Sequence, residues 1–298
     1  MTFNLINFNE ESGMHSIPEL ELYFSMNEGQ LLHYYEPEPG LFVVESPMVI
    51  ERALAAGYEP QSFVMIDNVA EEMCEKFREI VETCASCDCD KSKTVPVYVA
   101  DYETIAGMTG VNITRGVLAL LKRREQAALS DVIKGYKRIA VFDDVENPTN
   151  IGAMFRSAAA LGIEAVVLTG ASSDPLYRRA SRVSVGTVFQ VPWIKLGRKE
   201  MKALGIQGAD GYIKVLQEMG FKTAAMALSD NSINIDAPQL KEADKLAIIL
   251  GNEGFGLVDE VIEASDYVVK IPMQHNVDSL NVAAASSIVF WEVMKGCR

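Results

Sequence analysis

The second half of the chain repeats one pattern: short apolar runs at 138–142, 165–168, 188–191, 223–227, 246–250 and 267–271, several of them separated by stretches of helical spacing such as 151–161. Runs of four or five residues rich in Val, Ile, Leu and Ala read as strands, too short for helices. Strands that alternate with helices predict a mostly parallel sheet with both faces covered, because parallel neighbours are joined through crossovers. The fold class read here is therefore α/β.

The first half reads as a smaller α/β domain. Strands are expected at 40–45, 62–66 and 95–100, with helices at 47–56, opened by Ser46 and closed by Gly57, and at 69–83. Residues 1–30 carry little pattern beyond a short helix around 18–24, and 116–129 (GVLALLKRREQAAL) reads as a helix with a basic end. A length of 298 residues suits two domains. The expected division is 1–118, a linker at 119–137, and 138–298.

Three glycines follow the strand at 246–250, in Leu250-Gly-Asn-Glu-Gly-Phe-Gly-Leu257. They let backbone come close to a ligand and take positive φ. Their order is neither a dinucleotide fingerprint nor a phosphate loop, which counts against a dinucleotide-dependent oxidoreductase. Upstream, Asn147-Pro148 turns off a strand end, Thr149 or Asn150 can cap the next helix, and Gly152 lies four residues before Arg156 on one helical face. Downstream, a strand end and a polar loop lead to a small-residue helix with Ser279 as the expected N-cap. No G-x-S-x-G elbow surrounds Ser279, so it is not a hydrolase nucleophile.

Composition narrows the classes. The formal charge is −14, whereas proteins that grip many phosphates are usually basic. Local clusters remain: Lys122-Arg123-Arg124, Arg178-Arg179 with Arg182, and Lys195 with Arg198-Lys199. No run reaches the roughly 18–20 apolar residues of a membrane span, and the first residues have no basic and apolar signal pattern. A soluble cytoplasmic protein with no membrane partner is expected. Cys84, Cys87 and Cys89, with Cys74 upstream, suit reduced thiols better than a zinc or redox site. No metal is signalled, and His15, His33 and His275 are not expected to be catalytic.

Together, Asn147-Pro148-x-Asn150-x-Gly152-x-x-x-Arg156-Ser157-Ala158, Leu250-Gly-Asn-Glu-Gly-x-Gly-Leu257, and Ile271-Pro-Met273 with Ser279-Leu-Asn-Val-Ala283 resemble the three ordered motifs of the SpoU/TrmH family. These are RNA ribose 2′-O-methyltransferases that use S-adenosylmethionine. The first half also resembles the small α/β RNA-binding domain that many members carry. The resemblance implies a deep trefoil knot at the C-terminal end of the sheet, against general topology rules. It also implies a homodimer with the active site near the subunit interface.

Carried onto this sequence, the family pattern implies a cofactor held by Gly251, Ile271, Met273 and Leu280, with Leu228 and Asn252 as further candidates. For catalysis it points to Arg156, with Asn150, Glu253, Ser279 and Asn281 positioning it and the RNA. Arg156 is viewed in the family as the base for the hydroxyl proton; because a free guanidinium keeps its proton, the equal alternative is that it holds the 3′ phosphate, with the phosphate accepting the proton. A 2′-hydroxyl target selects RNA over DNA. Ribosomal RNA is the expected substrate, with transfer RNA as the alternative. A non-catalytic RNA-binding protein that keeps the knotted fold is the rival reading, and intact Asn150, Arg156, Glu253 and Asn281 count against it.

Overall fold

The computed structural model describes residues 1–9, 17–84, 90–109, 114–229, 231–275 and 277–295. The chain divides into two compact units, one formed by Met1–Glu125 with Leu176–Gln190, the other by Gln126–Pro175 with Val191–Arg298. The boundary expected at 118 falls inside a buried strand, and 176–190 belong to the first unit, not the second.

The first unit holds a five-stranded sheet of order β1-β4-β3-β5-β2, with β1 at Thr2–Asn7, β2 at Leu41–Glu45, β3 at Pro60–Ile66, β4 at Thr94–Ala100 and β5 at Val117–Lys122. β1, β4 and β3 run parallel, while β5 is antiparallel to both β3 and β2. The helix expected at 116–129 is thus largely β5, an interior strand whose Val117–Leu121 side chains are all buried. A short apolar run looks the same as a buried strand or a helix segment, and the sheet decided it. β1 was not expected, because its polar alternation leaves few apolar residues to see.

Helix α1 at Pro47–Ala55 and α2 at Asp67–Thr83 pack on this sheet. Phe63 of β3 lies against Phe77 of α2, with ring centroids 5.5 Å apart. The segment 176–190 lies along β2: a short helix, Arg178–Val183, brings Arg178 to the buried Glu45 at 3.0 Å, and Phe189 packs on Tyr58. Residues 188–191, expected as a strand, begin instead in a 3-10 turn over Thr187–Phe189.

The second unit is a seven-stranded sheet of order β10-β12-β9-β11-β6-β7-β8 with every pairing parallel. Its strands are β6 Arg138–Asp143, β7 Ala165–Thr169, β8 Trp193–Lys195, β9 Lys222–Met226, β10 Ile233–Asn234, β11 Leu246–Leu250 and β12 Tyr267–Lys270. All five residues of β11 are buried, as central parallel strands must be. Helices α3 Pro148–Leu161, α4 Gly211–Glu218, α5 Asp259–Ala264 and α6 Val282–Val293 are the longer or site-bearing ones. Ile139, Val141, Val167, Ile249, Ile213 and Leu216 meet in one core on the α4 side. No helix among the described residues is long and apolar enough to cross a membrane.

Candidate active site

The first loop leaves β6. Asp143 ends the strand almost fully buried; burial pushes its carboxyl above the usual aspartate range, and the Thr169 hydroxyl donates to it. Asp144 then takes a left-handed backbone, φ 54°. Its Oδ1 accepts from Ala171 N at 2.6 Å, and Gly170 leaves the room, since a Cβ there would lie 1.8 Å from that oxygen. Asn147, and not Thr149 or Asn150, caps α3: its Oδ1 accepts from Thr149 N at 2.8 Å, with Pro148 at the first helical position. Asn150 is thereby left for other work.

The second loop leaves β11 and doubles back at once. Asn252 and Gly256 exchange both backbone hydrogen bonds, 3.1 Å each. A Cβ on Gly251 would come within 2.6 Å of the Gly256 carbonyl carbon and 2.7 Å of Leu257 N, so this turn admits only glycine. Asn252 braces it, accepting at Oδ1 from Gly254 N (2.7 Å) and donating from Nδ2 to Asp144 O (2.9 Å).

Inside the turn, Glu253 Oε1 accepts from Asn147 N at 3.2 Å and from Asn150 Nδ2 at 2.9 Å. The third loop completes the chain: Asn281 Nδ2 donates to Asn150 Oδ1 at 3.2 Å. Asn281 is also the N-cap of α6, its Oδ1 accepting from Ala283 N at 3.0 Å. This corrects Ser279 as the cap. An amide offers a donor and an acceptor at once, so Asn281 starts the helix and reaches Asn150 together. One nearly buried amide, Asn150, therefore joins all three motif segments.

The carboxyl ends of β9, β11 and β12 open into a cleft of about 500 Å³. That is where parallel sheets take ligands, and the volume fits a small molecule. Gly251, Asn252, Glu253, Leu228, Ile271, Met273, Ser279, Leu280 and Asn281 all line it. Asn150 does not line it, but touches it through Glu253 and Asn281. Arg156 sits exposed on α3, with no ion pair or hydrogen bond to another described residue. Further along, Ser157 and Ser287 meet at 2.8 Å where α3 packs on α6. Sequence reasoning missed Asn147 as cap and the bracing by Asp144; the Asn147-Pro148 pair was the available signal for the first.

His275 does not line the cleft. His33 pairs with Glu36 in the first unit, and His15, Cys87 and Cys89 lie outside the described residues. Cys84 donates to Ala55 O. Among the described residues no cluster of His, Cys, Asp and Glu is arranged to hold a metal.

Residues 137–291 match the SpoU rRNA Methylase family. An uncharacterized tRNA/rRNA methyltransferase of Mycobacterium bovis is 31% identical over 253 residues, covering 85% of this chain and 80% of its own length. Among solved structures, the AdoMet-bound rRNA methyltransferase of Sinorhizobium meliloti is similar with a TM-score of 0.74 at 20% identity, covering 98% of each chain. An RNA 2′-O ribose methyltransferase is similar with a TM-score of 0.68 at 21% identity, again covering 98% of each. These two show the likeness of fold, including the large parallel sheet. The family match over more than half of the chain and the relative at 31% identity place this chain in the SpoU/TrmH family of RNA methyltransferases.

Proposed function

We propose that the protein transfers a methyl group from S-adenosylmethionine to a ribose 2′-hydroxyl of RNA, with ribosomal RNA as the substrate. The observation that carries this reading is the Asn150 amide, which ties Glu253 and Asn281 together at the mouth of the cleft. Oriented polar groups gathered at the mouth of a cleft favour chemistry over a binding-only role. The neighbouring fold from Sinorhizobium meliloti holds AdoMet, and another neighbour acts on the ribose 2′-oxygen, which supports both halves of the proposal.

The cleft suits the cofactor. Gly251 keeps a floor of bare backbone, and Leu228, Ile271, Met273 and Leu280 provide apolar walls for an adenosine and a thioether chain. The Glu253 and Asp278 carboxylates on the lining complement a positively charged sulfonium. When bound, the group would supply an electrophilic methyl. The chain's own part is placement, which can provide much of the rate in a transfer of this kind. Asn150, Glu253, Ser279 and Asn281 orient the ribose, and Arg156 holds the adjoining phosphate through its fork of donors. The hydroxyl proton would pass to that phosphate as the 2′-oxygen takes the methyl, the sulfur–methyl bond breaking to leave the neutral thioether S-adenosylhomocysteine.

The same reading includes a homodimer, supported by Ala284, Ile288 and Trp291, which form an exposed apolar stripe along α6 at helical spacing. It also gives the first unit a role in holding RNA. There, Arg124 lies over Tyr58 at 4.7 Å beside Phe189, and Arg182 reaches Glu45 while its side chain stays 45% exposed. The knot belongs to the proposal too: β11 enters between β6 and β9, β12 pairs on the far edge of β9, and α6 returns to pack on α3.

The test is transfer of labelled methyl from S-adenosylmethionine to total cellular RNA by wild type and Arg156→Ala, with nuclease mapping. Label on a ribose 2′ position of ribosomal RNA that vanishes in the variant is the expected result. Label on a base, or on transfer RNA alone, would overturn the corresponding part.

A further inference from the structure

Phe255 is the most exposed large apolar side chain among the described residues, at 69%, and it lines the cleft. An exposed aromatic on a mobile loop would mean little, but this one is held out by a braced turn. Asn252 and Gly256 exchange two backbone bonds, Gly254 N reaches Asn252 Oδ1, and Asn252 Nδ2 anchors the turn to Asp144 O. Gly256 takes φ 73°, which closes the turn just past the ring. Two residues earlier on the same turn, Glu253 meets the Asn150 amide. The backbone that carries the phenyl ring therefore has a fixed place relative to the polar groups proposed to seat the ribose.

The charge of the cleft says what the ring is for. Its lining carries one lysine, Lys270, against two carboxylates, Glu253 and Asp278. Phosphate attraction there is weak, and the whole chain is acidic at −14. A nucleotide laid at the mouth of this cleft, with Arg156 as its proposed phosphate contact, gains from a further source of affinity that does not depend on charge. Stacking of a base on an aromatic face is one, and it is nearly indifferent to sequence. Unpaired, splayed-out bases are what proteins commonly hold this way in RNA. Because the turn is already fixed, little ordering is lost when the base docks.

We infer that Phe255 is the stacking platform for an unpaired nucleobase at or beside the target ribose, and so a substrate-binding residue of this site. The inference rests on the proposed RNA reading.

It is tested by binding of an oligoriboadenylate of about ten nucleotides and of an abasic ribose-phosphate oligomer of the same length to the full-length protein. Wild type is expected to prefer the base-bearing oligomer by about tenfold. Phe255→Ala and Phe255→Leu lose that preference, Phe255→Trp keeps it, and all retain the wild-type affinity for S-adenosylmethionine and the wild-type mass in solution. A preference that survives Phe255→Ala overturns the inference. So does a variant that loses S-adenosylmethionine binding, which would make the ring a cofactor contact, or one that changes mass, which would make it a contact between copies of the chain. A wild type that methylates RNA without any base preference sinks the stacking alone. One that shows the preference but never methylates RNA sinks the methyl-transfer reading and leaves the stacking standing.

Discussion

Asn150 Nδ2 lies 2.9 Å from Glu253 Oε1, a side-chain bond across 103 positions that ties the first loop to the second at the site. Glu253→Ala leaves the nearly buried Asn150 amide without its acceptor, which costs about 1–3 kcal/mol. Asn281→Ala removes the other partner of the same amide. The expected result is a stability loss in each single variant and a double variant that loses less than the sum, measured by denaturant unfolding. Full additivity would show that the chain of amides does not act as a unit.

Gly251 faces the returning backbone of its own turn, with Gly256 and Leu257 atoms inside 3 Å of any added Cβ. Backbone cannot yield as a flexible side chain does. Gly251→Ala is expected to cost about 1–3 kcal/mol in stability, as overpacking does, and to weaken S-adenosylmethionine binding by roughly tenfold or more, since 1.4 kcal/mol of lost complementarity is tenfold. Calorimetric titration of the variant checks it; unchanged affinity would mean that the cofactor lies away from the turn.

Much of the second unit was legible because its strands are short apolar runs with nothing else to be: the run at 246–250 coincides with β11, and 223–227 and 165–168 fall within one residue of β9 and β7 at each end. Where the same signal had two physical readings, it failed. Val117–Lys122 is as apolar as a helix face and became β5, and the cap of α6 moved from Ser279 to Asn281 because a tertiary partner, Asn150, rewarded the amide. The site was less legible than the fold. Asn150, Glu253 and Asn281 are 103 and 131 positions apart in their pairs, and no local spacing reports that they meet. Only the resemblance of the motifs brought them together in advance. The placing of 176–190 in the first unit left no mark in the sequence that patterning detects, since Glu45, its ion-pair partner, lies in a strand read as apolar.

Asp144 and Gly170 are matched. The carboxylate of the one fills the space where a side chain on the other would stand, leaving only 1.8 Å between its Oδ1 and a Cβ at position 170, and both residues have positive φ. Gly170→Ala is expected to destabilise by about 1–3 kcal/mol. Asp144→Gly accepts the left-handed backbone without strain and clears the clash, at the loss of the bond to Ala171 N. The double variant should therefore be more stable than Gly170→Ala alone. If it is less stable, the carboxylate matters more than the space, and the first loop is held by that bond.

Asp266 binds β9 to the turn before β12, accepting from Lys222 Nζ (2.7 Å), Thr223 N (3.0 Å), Thr223 Oγ1 (2.9 Å) and Gln217 Nε2 (3.1 Å). Partial burial pushes its carboxyl up, but the bonds from Lys222, Thr223 and Gln217 outweigh this and hold it below the ordinary aspartate value. A carboxyl lowered in the folded state binds fewer protons there than in the unfolded chain. Its contribution to stability is thus complete above the unfolded value, about 3.9, and is lost as the pH falls through the folded one. Lys222 is half exposed, so its share is screened and the Thr223 bonds carry more. Asp266→Asn is expected to cost about 1–2 kcal/mol at pH 7 and progressively less below about pH 4. Melting temperatures of both proteins from pH 7 down to pH 3 check it: a gap that stays constant with pH would mean that the ionised carboxylate is not what holds this corner of the sheet.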